Sequence, residues 1–335
     1  MNESDRFRDV LKQISELASS AASGEGASAS EGFHGASVAH GDRDACTLRF
    51  LPARLLVKAA EVAQRINPVN APVLGPLAAV GAPASLDKMR IAVLTSKYWG
   101  PASRKLTVSF MESAPSNLRG RILQHMNAWS TKAGISFVET NGDGDVRISR
   151  GSGGYWSYLG TDIKLVPTNH QTMNLEGFTT NTPDSEYKRV VRHETGHTLG
   201  FPHEHMRREL VARIDPAKAY PYFLATQGWD KHTVDQQVLT PLDESSIFGT
   251  PPDQTSIMCY QLPGSITFDG QPITGGTDVN TTDYFFAALI YPKFFFEEAK
   301  AGRREKPERE EELAPTMAQA YAQDWGASQD PEVRT

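Results

Sequence analysis

The hydrophobic rhythm changes several times along this chain. Residues 5–17 place Phe7, Val10, Leu11, Ile14 and Leu17 at helical spacing, which predicts a short amphipathic helix. Residues 18–41 are mostly Ala, Ser and Gly with little to bury, and read as a flexible linker. Helical periodicity returns over 46–66 through Leu51, Leu55, Leu56, Ala59 and Val62, and Pro72, Pro76 and Pro83 then mark an irregular connection. Alternating or short apolar runs predict strands at 90–94, 106–110, 135–138, 146–149 and 162–166. Leu118, Ile122, Met126 and Trp129 predict a helix packed on that sheet, and residues 282–291 a C-terminal helix. The stretch between His205 and Ser256 reads as loop, and over 297–312 charges of both signs replace apolar residues, as in a solvated tail. The pattern divides the chain into a low-complexity segment (1–45), a helical pre-segment (46–88), a main folded domain (89–293) and a charged tail (294–335).

One stretch combines this rhythm with chemistry. Tyr187, Val190 and Val191 lead at helical spacing into His193-Glu194-Thr195-Gly196-His197, with Asp184 or Ser185 as the expected N-cap. Histidines four apart project from one helix face. Gly200 lies three residues on, where a left-handed glycine can end a helix and return the chain with His203. His193, His197 and His203 with one open position describe a catalytic zinc site, because structural zinc sites close all four positions. One Zn2+ held there polarises a carbonyl and brings the pKa of a water to about 7, and Glu194, beside a ligand but not one itself, is placed to act as general base.

Further motifs narrow the reading. The H-E-x-x-H-x-x-G-x-x-H run, followed by a Met-turn at Ser256-Ile257-Met258-Cys259-Tyr260, is the metzincin pattern. His203-Glu204-His205-x-Arg207, Ser256-Ile257-Met258-x-Tyr260 and Trp156-Ser157-Tyr158-Leu159-Gly160 resemble the matching segments of astacins, as does Gln171 to Leu175. The chain is thus identified, by resemblance, as an astacin-like metzincin zinc metalloprotease over roughly half its length. It departs from that family in carrying Cys259 where the turn usually has histidine, Tyr155 where the W-S-Y segment usually follows Cys, and no disulfide pairs.

The resemblance implies an α+β catalytic domain: a mixed, twisted five-stranded sheet, the zinc helix, a Met-turn and a small, irregular and helical C-terminal subdomain. One strand between Gly151 and Val166 is expected at the upper rim of the cleft, where a peptide can add as a further strand. The implied activity is that of a metalloendopeptidase. Tyr260 is the expected oxyanion-supporting phenol, Met258 the apolar floor under the imidazoles, and Glu204 a support for the start of the mature enzyme. Astacins block their zinc with a pro-segment aspartate. Here the motif is incomplete and the segment reads first as linker, leaving Asp42 and Cys46 as possible latency ligands. His205 would close the catalytic position if it ligated, and His125, His170 and His232 read as solvated histidines. The rival reading is a catalytically latent or non-catalytic metal-binding regulatory protein.

Composition sets the bounds. A formal net charge of -6 gives no reason to expect nucleic acid, and Cys46 and Cys259 are too few for a disulfide framework. No apolar run reaches membrane-spanning length, and the first residues show no signal peptide. The expectation is a monomer acting on protein or peptide substrates, in the cytoplasm or exported by a leaderless route.

Overall fold

A computed structural model describes residues 46–70, 97–242 and 251–293. The features expected at 5–17, 18–41, Asp42, 90–94 and 297–312 lie outside the described residues.

Six strands form one mixed sheet: β1 (Cys46–Arg49), β2 (Arg104–Phe110), β3 (Ile135–Glu139), β4 (Val146–Ser149), β5 (Tyr155–Tyr158) and β6 (Met173–Leu175), in the order β1-β5-β6-β4-β2-β3. All neighbours pair in parallel except β5 and β6, which are antiparallel. In β2, Leu106 and Val108 point into the core, whereas every residue of β4 is buried, as befits an inner strand covered on both faces. Helix α2 (Ser116–Met126) lays Leu118, Ile122 and Met126 on the sheet, next to Trp129.

Strands β2, β3 and β4 are those expected at 106–110, 135–138 and 146–149, β5 falls within the expected rim strand between Gly151 and Val166, and β6 was not foreseen. Strand β1 corrects the sequence reading, because Cys46–Arg49 is extended and helix α1 spans only Leu56–Ile66. Periodicity in Leu51, Leu55, Ala59 and Val62 does belong to the stretch that packs as α1 and its lead-in, and these residues join the same core as the sheet. The four residues ahead of them have a partner too distant in sequence to be foreseen: the open edge of β5. The far end of this pre-segment is also pinned. Asn70 donates to the carbonyls of Ala63 (3.0 Å) and Tyr98 (2.7 Å) and accepts from Tyr98 N–H (3.0 Å).

Two other expectations are corrected. Residues Gly160–Leu165 form a 3₁₀ turn rather than a strand. Gly160 takes a left-handed φ of 48° just after β5, and Asp162 turns inward to meet Lys97 at 3.0 Å. The region after His205 is helical in part, with Arg208–Val211, α4 (Pro216–Gln227) and Lys231–Val234. In α4, Asp215 caps by accepting from Ala217 N–H, Pro216 occupies the first turn and Gly228 ends the helix at φ 69°. These helices enclose a second core of Leu210, Ile214, Phe223, Val234, Val238, Leu262 and Ile273 below the sheet-bearing half. Helix α5 (Thr281–Ile290), the last helix among the described residues, lies close to the expected 282–291.

Candidate metal centre and active site

The site is built on helix α3 (Arg192–Thr198), which continues Asp184–Glu186 and a π-type turn at Tyr187–Val191. Pro183, not Asp184 or Ser185, precedes the first helical residue, and no side chain caps it. Asp184 instead meets Arg121 and His125, each at 3.3 Å, so His125 is a buried, partnered histidine rather than a solvated one. Tyr187, Val190 and Val191 are buried and anchor the helix.

The helix ends where the glycine spacing suggests. Gly200 has φ 98°, its N–H donates to His197 O (2.8 Å), and Phe201 N–H donates to Gly196 O (3.0 Å), a Schellman closure. Because this end is buried, its remaining carbonyls also need donors. Trp99 Nε1–H donates to Thr198 O (2.8 Å), and the Tyr291 hydroxyl donates to Leu199 O. The chain therefore reverses in a fixed direction and delivers His203.

Backbone carbonyls orient two of the imidazoles. His193 Nδ1 lies 2.6 Å from Ile257 O and His197 Nδ1 lies 2.7 Å from Phe201 O, so each Nδ1 carries the proton and each Nε2 presents a lone pair. His193 Nε2 has no hydrogen-bond partner, and His197 Nε2 faces His203 Nε2 at 3.0 Å. The fourth member is Cys46 of β1: one donor atom from each of Cys46, His193, His197 and His203 lies within 4.8 Å of the others, all four residues buried. Three imidazoles and a thiol converging with unsatisfied lone pairs are a donor set suited to zinc. His205 stands outside this set, its Nε2–H donating to Gln237 O (2.9 Å). His170 and His232 are also outside it.

Burial dominates the electrostatics. It pulls His193 down to about 4 and holds His197 and His203 well below their ordinary values, keeping all three imidazoles neutral. It pushes Glu194 up to about 8, against the lowering effects of the Cys46 thiol and of Arg189. Glu194 is fully buried, and beyond the Cys46 thiol neither carboxyl oxygen has a hydrogen-bond partner among the described residues. The Cys46 thiol is raised strongly by burial, with the Glu194 charge adding to it.

The floor and far wall come from the Met-turn. Met258 packs so closely under α3 that a Cβ added to Gly196 would lie 2.3 Å from its Sδ, so a larger residue there would push the thioether aside. Asp283 holds the turn, accepting from Ser256 Oγ–H (2.6 Å) and Ile257 N–H (3.0 Å) while completing the capping box of α5 with Asn280. Tyr260 stacks on His205 (4.2 Å between centroids) and lies 4.3 Å from the His203 ring, with its buried hydroxyl unpartnered. Beside His193 and Glu194 a cavity of about 460 Å³ opens between Arg189, Tyr222, Phe223 and Leu262.

The astacin family of peptidases matches residues 93–272, more than half of the sequence. The chain belongs to the astacin family. Zinc metalloproteinase nas-27 of Caenorhabditis elegans is 36% identical over 140 residues, which cover 40% of this chain and 30% of that protein. The match therefore spans under a third of that relative's length. The structure of myroilysin is similar at 29% identity with a TM-score of 0.56, covering 59% of this chain and 97% of that one. In this astacin the two cysteines, Cys46 and Cys259, are both buried free thiols.

Several residues of the site were not singled out by sequence reasoning. Asp283 has a visible signal, since Asn280-Thr281-Thr282-Asp283 is a capping pattern. Gln237 and Arg189 carry none, because nothing in their neighbourhoods marks them as facing a cleft. Glu204 accepts from Asp253 N–H (3.1 Å) and meets Arg207 at 3.3 Å, with burial raising it to about 7. Asp42 lies outside the described residues.

Proposed function

We propose that the chain is a zinc metalloendopeptidase held latent by its own N-terminal segment. The observation that carries this reading is the convergence of His193, His197 and His203 beside a buried Glu194 whose carboxyl meets nothing but the Cys46 thiol. Zinc bound by the three imidazoles supplies Lewis acidity, polarising a peptide carbonyl and acidifying a nearby water. Glu194, raised by burial, is matched to taking the proton of the attacking water and returning it to the departing amine. The unpartnered Tyr260 hydroxyl is a donor for the oxyanion that develops on the carbonyl. The second edge of β5 in a chain without its segment would offer a peptide substrate a strand to pair with.

In the form described, Cys46 takes the place a substrate carbonyl or water would need, and β1 occupies the edge of β5. A Cys46 thiolate on the metal would exclude the nucleophile, and withdrawal of the segment would restore it. This supports Cys46 as a blocking ligand, and latency over a purely regulatory metal-binding role, since Glu194 is present. The test is digestion of casein by the full chain and by its Cys46→Ser variant, with and without chelator. Chelator-sensitive cleavage by the variant is the expected result. No cleavage by a zinc-loaded variant, before or after limited proteolysis has removed the segment, would sink the reading.

A further inference from the structure

We infer that Gln237 is a backbone clamp for the peptide in the cleft, holding the chain's own segment now and the substrate's main chain once that segment has left. The inference rests on the peptidase reading above. In β1, Leu48 lies opposite Ser157 of β5, but its N–H and C=O face the other way, as alternate residues of a parallel strand do. Both groups are taken by a single side chain. Leu48 N–H donates to Gln237 Oε1 at 2.9 Å, and Gln237 Nε2–H donates to Leu48 O at 3.2 Å. The primary amide thus acts as a one-residue strand, and the segment is gripped between β5 and Gln237.

Gln237 is equipped for this task. Its side chain is buried, so an unmatched amide there would be costly. It sits in a π-type turn, Asp235–Leu239, an irregularity that re-aims side chains and is common at functional sites. Its own carbonyl accepts from His205 Nε2–H at 2.9 Å, and His205 stacks on Tyr260, 13° from parallel. The clamp is therefore built onto the same aromatic stack that flanks the metal ligands.

A peptide paired with β5 and presenting a carbonyl where Cys46 now sits must pass through the same gap. Both contacts are to backbone atoms, so the clamp ignores side-chain identity. It also tolerates direction: rotating the amide by half a turn exchanges its donor and acceptor, and so serves a chain running either way along β5. Gln237 is accordingly a positioning residue, binding main chain two residues from the one at the metal centre.

The experiment has two arms. In the full chain, the rate at which iodoacetamide alkylates Cys46, read by peptide mass spectrometry, should rise about tenfold in Gln237→Leu, the worth of two ordinary hydrogen bonds. In the full-length Cys46→Ser background, a casein-derived peptide with single backbone N-methyl groups should lose about threefold in kcat/KM at one position two residues from the scissile carbonyl, the worth of the one hydrogen bond removed. That penalty should vanish with Gln237→Leu, which raises KM and leaves kcat nearly unchanged, as expected of contact made equally in ground and transition states. Undiminished N-methyl penalties in Gln237→Leu would overturn the clamp on substrate, and unchanged alkylation the clamp on the segment. If the Cys46→Ser chain cleaves nothing even after limited proteolysis of the segment, the peptidase reading has failed, and the alkylation arm still decides whether Gln237 grips a main chain.

Discussion

The Nε2 atoms of His197 and His203 face one another at 3.0 Å, although one imidazole rises from a helix and the other from the loop beyond it. With His197 Nδ1–H committed to Phe201 O, a bare lone pair is aimed across that gap. A divalent cation satisfies such an arrangement in a buried site; two neutral imidazoles alone do so only with His203 protonated at Nε2, which leaves its buried Nδ1 lone pair without a donor.

Purified protein under metal-replete conditions should therefore carry about one zinc per chain, and a chelator should lower its thermal midpoint as well as its activity. Metal analysis by plasma mass spectrometry together with calorimetry checks this. Sub-stoichiometric zinc and an unchanged midpoint would remove the basis of the site.

Glu194→Gln should keep the zinc, because the carboxyl is outside the ligand set, while lowering casein hydrolysis in the Cys46→Ser background by about 10²–10⁴. Metal content and initial rates measured on the same preparation separate the two effects. Loss of zinc in Glu194→Gln would mean that the carboxyl is a ligand.

Tyr260→Phe removes one hydroxyl with no partner in this state and keeps the ring stacked on His205. The expected effect is a fall in kcat of about 10²-fold with KM nearly constant, as for one lost oxyanion donor. Steady-state kinetics read it, and an unchanged kcat would remove the phenol from the reaction.

Cobalt in place of zinc gives an optical test of the thiol. The cobalt-loaded full chain should show a thiolate-to-metal charge-transfer band that Cys46→Ser abolishes and Asp42→Ala leaves intact. The same Cys46→Ser change should raise activity. A band unaffected by Cys46→Ser would refute the blocking role.

Acid sensitivity should have a contribution from Asp145, which accepts from Thr107 N–H (2.8 Å) and Oγ1–H (2.9 Å) and pairs with Lys164. Burial alone would raise its carboxyl, but Lys164 and Thr107 outweigh burial and hold it below its usual range. A depressed carboxylate stabilises the fold above its unfolded pKa of about 3.9, and that contribution is lost as pH falls through the lower folded value. Asp145→Ala should thus cost about 1–3 kcal/mol at pH 7, with the gap to the parent closing below about pH 4. Urea titrations at several pH values follow it, and a pH-independent gap would contradict the assignment.

By itself the sequence determined whatever depends on neighbours a few positions away. Histidines four apart share a helix face, Gly200 can leave the helix left-handed, and alternation in 106–110 makes a strand, whatever surrounds them. Helix α4 was equally determined by local chemistry, in Asp215, Pro216 and Gly228, although its weak amphipathic pattern and internal Pro221 disguised it as loop. Tertiary structure decided the rest. Residues Cys46–Arg49 are too short to choose a conformation alone, and the free edge of β5, about a hundred residues on, makes them a strand. Gln237 is an ordinary glutamine until the fold carries Leu48 to it, 189 positions away. Cys46 is a lone thiol among Ala, Thr and Leu until the sheet brings it to three imidazoles. Spacing can announce the ligands that one helix holds together, but a ligand or clamp delivered from another element is specified only by packing between elements distant in sequence.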